Sequence, residues 1–540
     1  MHDTANQSPD YSGHNVYTSD PVLELLTVSL QDPVKDNLKK IGSWAGNADV
    51  QKLAALANDH IPVLNTHDAR GNRIDQVEFH PAYHALMRKS TENRLHNSVW
   101  AEDDKEKGVR HLARAARFFM VSGVEMGHLC PITMTNAATA SLKFNPALLN
   151  EWLPKILSNK YDSSHKPFSQ KQGVTIGMGL TEREGGSDVR ANKSTAEELG
   201  NGIWKINGQK WFMSAPMCDA FLVLAQTKDG LGCFFLPRIL DDGAENGLRF
   251  QRLKEKLGNK SNASSEVEFH DSLGFLLGEA GRGIQTIIEM VSLTRLDCIV
   301  GSAGLMRSSL AEAVHHCRHR SAFGKLLVDQ PIMERVLADL ALDVTAATAL
   351  SFRLASAFDR TGANPAEAAY ARLMTPVIKY WVCKLAPALI NECMECLGGN
   401  GYVETGRLAR HYREAPLNAI WEGSGNIMCL DVIRVLNKDP DAVEMVLKTL
   451  EDDLGGGNVG KTVDVIRSAM AMCNTDPGGT RILVEQLALT AAAAELHRMG
   501  VSDIATAFTE SRLGGLWRNT YGMLDTRHNA KALIERLFTA

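Results

Sequence analysis

Ala419-Ile420-Trp421-Glu422-Gly423-Ser424-Gly425-Asn426-Ile427-Met428 is the most informative stretch of this chain. A carboxylate is followed at once by two glycines that flank a small hydroxyl residue. Glycine tolerates positive φ and lets the backbone approach a ligand closely. A carboxylate at such a turn is held near whatever lies on that backbone, which suits Glu422 to be a general base against a bound cofactor or substrate. Alone, the stretch also reads as a Gly-rich turn with an exposed glutamate, because Glu is mostly a surface residue. The rest of the sequence decides between the two.

The chain has 540 residues, too many for one ordinary core, and its length alone suggests three to four domains. With 44% hydrophobic and 22% charged residues it has the composition of a soluble globular protein. A net charge of −5 supplies no global basic field for nucleic acid or an anionic membrane. No uninterrupted apolar run of bilayer length stands out, so no membrane partner is expected. Residues 1–20 are polar and lack the basic and apolar regions of a secretory signal. The 10 cysteines are irregularly spaced and mostly lie in apolar runs, as at Cys233, Cys298 and Cys383. That pattern predicts reduced, buried thiols and a cytoplasmic location. Cys393 and Cys396 form a C-x-x-C with no partner pair, and His315, His316 and His319 share a helix end with no acidic ligand. No metal is expected at either.

The expected architecture is mainly α with a central β domain. Residues 1–20 read as a polar tail and 21–172 as a helical domain, with apolar residues at three-to-four spacing. Residues 173–280 hold short strand-like segments between turn signals: Val174–Leu180, Gly202–Trp211, Ala220–Ala225, Gly232–Leu236 and Ser265–Phe269. These predict a β domain. Residues 281–440 read as a helical bundle and 441–540 as an additional helical domain, within which the loop Asp452–Asn458 sets off the last helical region.

Three further segments carry chemistry. Leu180-Thr181-Glu182-Arg183-Glu184-Gly185-Gly186-Ser187-Asp188 follows a predicted strand ending in Met178 and Gly179. Its hydroxyls and exposed backbone N–H groups suit the polar rim of a cofactor ring and a phosphate, although an ordinary turn reads the same way. It is neither a G-x-G-x-x-G fingerprint nor a P-loop. Arg320-Ser321-Ala322-Phe323-Gly324-Lys325, with Gln330 beyond it, closes a helix and offers a guanidinium fork for a pyrophosphate. A capped helix end accounts for the same residues. In Glu395-Cys396-Leu397-Gly398-Gly399-Asn400-Gly401-Tyr402, three glycines in four positions exceed the needs of a cap and suggest close approach to a ligand or a neighbouring subunit.

Thr181–Asp188, Trp211–Ser214, Arg320–Gln330, Leu397–Tyr402 and Tyr412–Met428 occur in the order, and at about the distances, of the flavin-dependent acyl-CoA dehydrogenases. The chain resembles that family over residues 70–440. Cys130–Thr135, Lys256–Ser264 and the added carboxyl-terminal region are similar to its branch associated with the adaptive response to alkylation damage. The resemblance implies a helical domain, a β-sheet or barrel domain and a helical bundle, with FAD as cofactor and a homotetrameric assembly. It implies Glu422 as the base that removes the α-proton of an acyl-CoA, and Arg295 near the substrate. Flavin and phosphate contacts are implied for Met178, Gly179, Leu180, Thr181, Gly185, Gly186 and Ser187, for Phe212, Met213 and Ser214, and for Trp421, Gly423, Ser424, Gly425 and Asn426. Arg320, Phe323, Gln330, Gly398 and Gly399 match segments that reach the FAD of a neighbouring subunit.

The chain departs from the family pattern in places. Met213 stands where a threonine is usual, Glu395 where a glutamine is usual, Gln330 lies one position early, and Trp421 replaces a tyrosine beside the base. A larger ring there would narrow the acyl tunnel, and together these departures count against efficient turnover of ordinary acyl-CoA. The resemblance to the branch implies weak dehydrogenation of an isovaleryl-CoA-type substrate. The branch also implies binding of double-stranded DNA and protection against alkylation. Residues 441–540 hold 10 Lys+Arg and 13 Asp+Glu, a net of −3, which is the wrong sign for phosphate binding as a whole. A local patch of Arg512, Arg518, Arg527 and Lys531, joined by Arg434 and Lys438, remains open, as does an ordinary solvated helix face. The alternative reading is a metabolic acyl-CoA dehydrogenase without a DNA role.

Overall fold

A computed structural model describes residues 6–455, 460–514 and 528–538. It divides into two compact units. One comprises Met1–Val50, Asp103–Val124 and Arg295–Ala540, and the other Gln51–Glu102 and Glu125–Thr294.

The second unit is built on a seven-stranded sheet. Its strands are β3 (Ile176–Gly179), β4 (Thr195–Gly200), β5 (Ile203–Ser214), β6 (Ala220–Thr227), β7 (Gly230–Pro237), β8 (Leu248–Leu253) and β9 (Ser264–Leu277). Pairings run β3–β6, β6–β7, β7–β9, β9–β5 and β5–β3, so these five strands close on themselves, with β4 and β8 alongside. Phe221, Leu222, Val223 and Leu224 are all buried, so β6 is covered on both faces and reads as an unbroken apolar run. The helix Leu129–Leu142 lies against β3, where Thr135 Oγ1 accepts from the Ile176 N–H at 2.9 Å. An antiparallel hairpin of β1 (Val63–His67) and β2 (Arg73–Glu78) sits in the stretch expected to be wholly helical. Its turn residues Asp68, Arg70, Gly71 and Asn72 hydrogen-bond one another, a local signal that the helical periodicity on either side obscures.

The first unit is helical: α1 (Arg110–Ser122), α2 (Gly283–His319, which starts in the other unit), α3 (Pro331–Arg360), α4 (Pro365–Cys396), α5 (Gly425–Lys438) and α6 (Thr480–Arg498). Pro365 at the first position and Asn364, whose side chain accepts from the Ala366 and Glu367 N–H groups, start α4 where the sequence breaks. α3 and α4 are long and apolar enough to cross a bilayer by composition, contrary to the sequence expectation. Both are mostly buried in the bundle, and that burial accounts for their apolar character. Among the buried pairs, Arg114 binds Asp297 in two parallel bonds of 2.5 and 2.7 Å.

Two boundaries differ from the sequence reading. Residues 6–20 are not a free tail: Tyr17 and Asp20 are buried, Asp20 caps the helix Pro21–Leu26, and it pairs with Arg307 at 2.9 Å. His315 and His316 receive this segment, through the Pro9 carbonyl at 2.8 Å and the Ser8 hydroxyl at 3.0 Å. The described part of residues 441–540 is not separate either, since α6 packs on α3 and α4.

Candidate active site

The turn before α5 is built from beneath by two cations. Lys379, buried in the middle of α4, donates to the carbonyls of Asn418, Trp421 and Gly423, each at 2.9 Å. All three ammonium hydrogens therefore have an acceptor. Arg295, also buried, donates from Nε to the Glu422 carbonyl at 3.0 Å and from Nη1 to Asp431 at 2.6 Å. The Trp421 indole N–H donates to Asn418 Oδ1 at 2.8 Å, and Asn418 in turn donates to Ser302 Oγ at 3.0 Å. Every peptide from Trp421 to Gly423 is thus held by a buried donor.

That clamp holds Glu422 at φ 58°, a left-handed conformation that a non-glycine residue adopts at a cost of about 1 kcal/mol or more. Gly423 follows at φ 103°, and a Cβ there would stand 2.5 Å from Met428 Cε. The positive φ therefore calls for the glycine, while the close contact is with the movable end of the Met428 side chain. The Glu422 side chain is half-buried, with a fixed backbone and a wall formed by a tied-down Trp421. Such rigidity is what a positioned base needs. Gly425 leaves room for Lys384, whose Cε would be 2.6 Å from a Cβ, and Asn426 accepts from Arg481 at 2.9 Å. Ser424 is exposed.

In the other unit, the Thr181 turn hangs on a buried ion pair. Glu182 accepts from Lys210 Nζ at 2.6 Å, both side chains being wholly buried, and from the Lys193 N–H at 2.6 Å. Burial works against the charge on Glu182, but Lys210 and the added donors outweigh it and hold the carboxyl below its ordinary range. The Trp211 N–H donates to the Thr181 carbonyl at 2.8 Å, which brings the turn beside the Trp211–Ser214 end of β5. A Cβ at Gly186 would stand 2.4 Å from Thr181 Oγ1, so the second glycine makes room for the hydroxyl. Met178 pairs with Ser214 across the strands. Leu180 is half-buried, and Gly185 and Ser187 complete the outer part of the turn. Phe212 is 49% exposed on this edge. Met213 is fully buried with its sulfur against Gly179, so only its backbone serves a ligand on the exposed side. Ser214 Oγ lies 3.1 Å from Ser264 Oγ, which accepts from Lys256 Nζ at 3.1 Å.

The Arg320–Gln330 segment forms a small hairpin, Ser321–Ala322 against Lys325–Leu326, at the end of α2. Gln330 donates to the Ala322 carbonyl at 2.9 Å and closes it. Arg320 gives Nη1 to the Asn6 carbonyl at 2.5 Å. Phe323, at φ 51°, is 100% exposed. Gly398 has φ 57°, and no atom stands within 4 Å of a Cβ built there or at Gly399.

The basic patch needs correction. Arg512 is buried and paired with Asp339 at 2.8 Å and Asp343 at 3.0 Å on α3, so it offers nothing to a phosphate. The two acids lie four residues apart on one helix face, a pairing visible only once the chain is folded. Arg518 and Arg527 lie outside the described residues. Arg434, Lys438 and Lys531 are exposed, Arg434 with a bond to Asp431 at 3.3 Å.

Lys379, Asp431, Glu182, Lys210 and Lys256 were not anticipated as site residues. The signal for Lys379 is present in Val377-Ile378-Lys379-Tyr380-Trp381, a lysine inside an apolar helical run. Such a lysine is seldom buried without a partner.

Comparison with known proteins agrees with this construction. Residues 6–163 match the adaptive response protein AidB N-terminal domain, 177–272 the acyl-CoA dehydrogenase middle domain, and 281–437 the acyl-CoA dehydrogenase C-terminal domain. The chain is 48% identical to AidB of Escherichia coli (strain K12) over 447 residues, 82% of each protein. It is 30% identical to acyl-CoA dehydrogenase family member 11 of Caenorhabditis elegans, over 82% of this chain and 74% of the relative. The solved structure of Caenorhabditis elegans ACDH-11 in complex with C11-CoA superposes with a TM-score of 0.84 at 26% identity, covering 99% of this chain and 93% of that one. The chain belongs to the acyl-CoA dehydrogenase family of FAD-dependent oxidoreductases and, within it, to the AidB-like branch. The residues present fit that cofactor. An exposed aromatic edge, a hydroxyl-bearing turn anchored by a buried ion pair and an open glycine turn are groups that suit an isoalloxazine ring and a pyrophosphate.

Proposed function

We propose that this protein dehydrogenates the CH–CH bond of a short, branched acyl-CoA of the isovaleryl type, with Glu422 as the base. The observation that carries the reading is the Glu422 turn, strained, glycine-backed and clamped by Lys379 and Arg295. The α-proton of a thioester is weakly acidic, so its removal needs a fixed carboxylate and stabilisation of the charge that develops. Arg295 and Lys379 supply positive charge beneath the turn, and Asp431 fixes the guanidinium that holds the Glu422 backbone. Bound FAD would supply the acceptor for the hydride that leaves the β-carbon. Trp421, tied to Asn418, sets a rigid wall beside the base and favours short acyl chains. Anaerobic titration of the flavin-loaded protein with isovaleryl-CoA and with a long-chain acyl-CoA tests the reading. Bleaching by the short substrate at lower concentration supports it, and no bleaching by either overturns it.

The AidB kinship favours a second role, binding of double-stranded DNA in protection against alkylation. The adaptive-response domain match over residues 6–163 and the exposed Arg434 and Lys438, one turn apart on α5, support it. Binding should weaken steeply with salt and in the double variant Arg434→Glu, Lys438→Glu. Absence of a duplex mobility shift at low salt would rule it out. The protein acts in this reading as a homotetramer, since the wholly exposed Phe323 and the open Gly398–Gly399 backbone suit a neighbouring subunit. Ten buried cysteines, none of them in a disulfide, favour a reducing, cytoplasmic location.

A further inference from the structure

A second place in the β unit is built for a charged ligand. A cavity of about 110 Å³ is lined by Gln76, Ser164, Lys166, Met217, Asp219 and Arg238, among others. It lies where β6 begins and β7 ends, because Asp219 directly precedes β6, Arg238 directly follows β7, and Ala220 pairs with Pro237. β3 runs parallel to β6 with Ile176 beside Ala220, and the Thr181 turn leaves the far end of β3. The cavity is therefore at the opposite end of these strands from the flavin-side turn.

Arg238 is the unusual member. Its side chain is buried, only 7% exposed, yet no carboxylate of the described residues lies within 4.0 Å of its nitrogens. It donates only to main-chain carbonyls, from Nη2 to Asp75 at 2.8 Å and from Nη1 to Met217 at 3.3 Å, and its guanidinium stands 5.3 Å from the Phe250 ring centre. Nearby acids are engaged elsewhere. Asp219 accepts from Lys171 Nζ at 2.6 Å and the Thr175 N–H at 2.8 Å, Asp75 from Arg73 Nε at 2.7 Å, and Glu245 from His165. Asp162, which accepts from Ser164 and the Gln172 N–H, also faces Lys171, so each of these acids is engaged by donors other than Arg238 and the guanidinium keeps main-chain acceptors alone. A buried charge with no directly bonded carboxylate is costly, and burial lowers the pKa of Arg238 from its ordinary value, against the pull of Glu245, Asp219 and Asp75 at longer range. The guanidinium presents a fork matched to a planar or tetrahedral oxyanion, with the exposed Lys166 at the rim.

We propose that this cavity is a binding site for a small oxyanion, a carboxylate or phosphate group paired with Arg238. The test is calorimetric titration of the full-length, flavin-loaded protein at constant ionic strength, with sodium acetate in one arm and inorganic phosphate in the other. Saturable binding of one equivalent per chain is expected in at least one arm, and the arm identifies the class. Arg238→Gln should weaken it about tenfold or more, the loss expected for a charge-assisted hydrogen bond. Should that variant fail to fold, Lys166→Glu, which reverses an exposed charge at the rim, should weaken binding several-fold with flavin content unchanged. No saturable heat in either arm, or equal affinity in wild type and the folded variants, overturns the proposal.

Discussion

Arg295 holds Glu422 by its backbone: Nε donates to the Glu422 carbonyl at 3.0 Å while Nη1 binds Asp431 at 2.6 Å. The guanidinium therefore ties the helix α5 to the turn that presents Glu422, the proposed base. Replacing it removes one of the two holds on the turn, Lys379 being the other, and leaves Asp431, among the described residues, with its weaker, exposed partner Arg434.

For Arg295→Lys, a point charge replaces a fork and only one of the two bonds survives. Loss of a charge-assisted bond is worth about 1.5–3 kcal/mol, so kcat should fall by about 10- to 100-fold. Stopped-flow flavin reduction checks this, with flavin content and KM measured alongside. A fall in kcat with KM and flavin content nearly unchanged marks positioning. A fall in flavin content alone marks a merely structural role.

Lys379→Met leaves three carbonyls of the turn without their donor. Each unmet buried acceptor costs about 1–3 kcal/mol, partly relieved by water reaching the half-buried turn. The melting temperature should drop by several degrees, and cleavage of the 418–424 turn under limited proteolysis should rise. A melting temperature equal to wild type would show that the tripod of 2.9 Å bonds contributes little.

The pH dependence of stability has a definite source in the β unit. Glu125 is buried and accepts from His128 Nδ1 at 2.8 Å, Ser261 Oγ at 2.8 Å, the Gly127 and His128 N–H groups at 2.9 Å, and Asn58 Nδ2 at 3.0 Å. Burial pushes its carboxyl up, but these donors prevail and bring it down to about 2 from an ordinary 4.5. The folded state thus favours the ionised form. Its stabilisation is complete above the ordinary value and is lost as pH falls from there through about 2. The size is about 3 kcal/mol at neutral pH. Denaturant unfolding of wild type and Glu125→Gln at a series of pH values should show a gap that closes on acidification. A gap that stays constant from neutral pH to the acid limb contradicts this source.

Much of the fold is legible in the sequence. β6 and β7 are buried along most of their length and read as continuous apolar runs, whereas β5 buries Trp204 and Ile206 in alternation with half-buried Lys205 and Asn207. The turn signals between such stretches forecast β3, β5 and β9 as well. β4 (Thr195–Gly200) is mostly polar and exposed, so its pairing depends on β5 rather than on its own pattern, whereas β8 alternates buried Leu248 and Phe250 with exposed Arg249 and Gln251, a short strand signal outside the forecast segments. The glycines at 185, 186, 423 and 425 mark the turns in advance, since each reflects a backbone or steric demand that only glycine meets cheaply. What holds the turns is not legible. Lys379 lies about forty residues from the carbonyls it binds, Lys210 lies 28 from Glu182, and Arg512 lies 169 from Asp343. Pairings set by tertiary distance leave no periodic trace, which is why Arg512 reads as a surface cation in the sequence and is a buried one in the fold.

The central claim is that the carboxylate of Glu422 takes the substrate proton. Its most direct test is Glu422→Gln, nearly isosteric and without a basic oxygen, compared with wild type by anaerobic absorbance after mixing with isovaleryl-CoA. Equal flavin content with bleaching in wild type and none in the variant is the predicted result. Bleaching of the variant at the wild-type rate would contradict it.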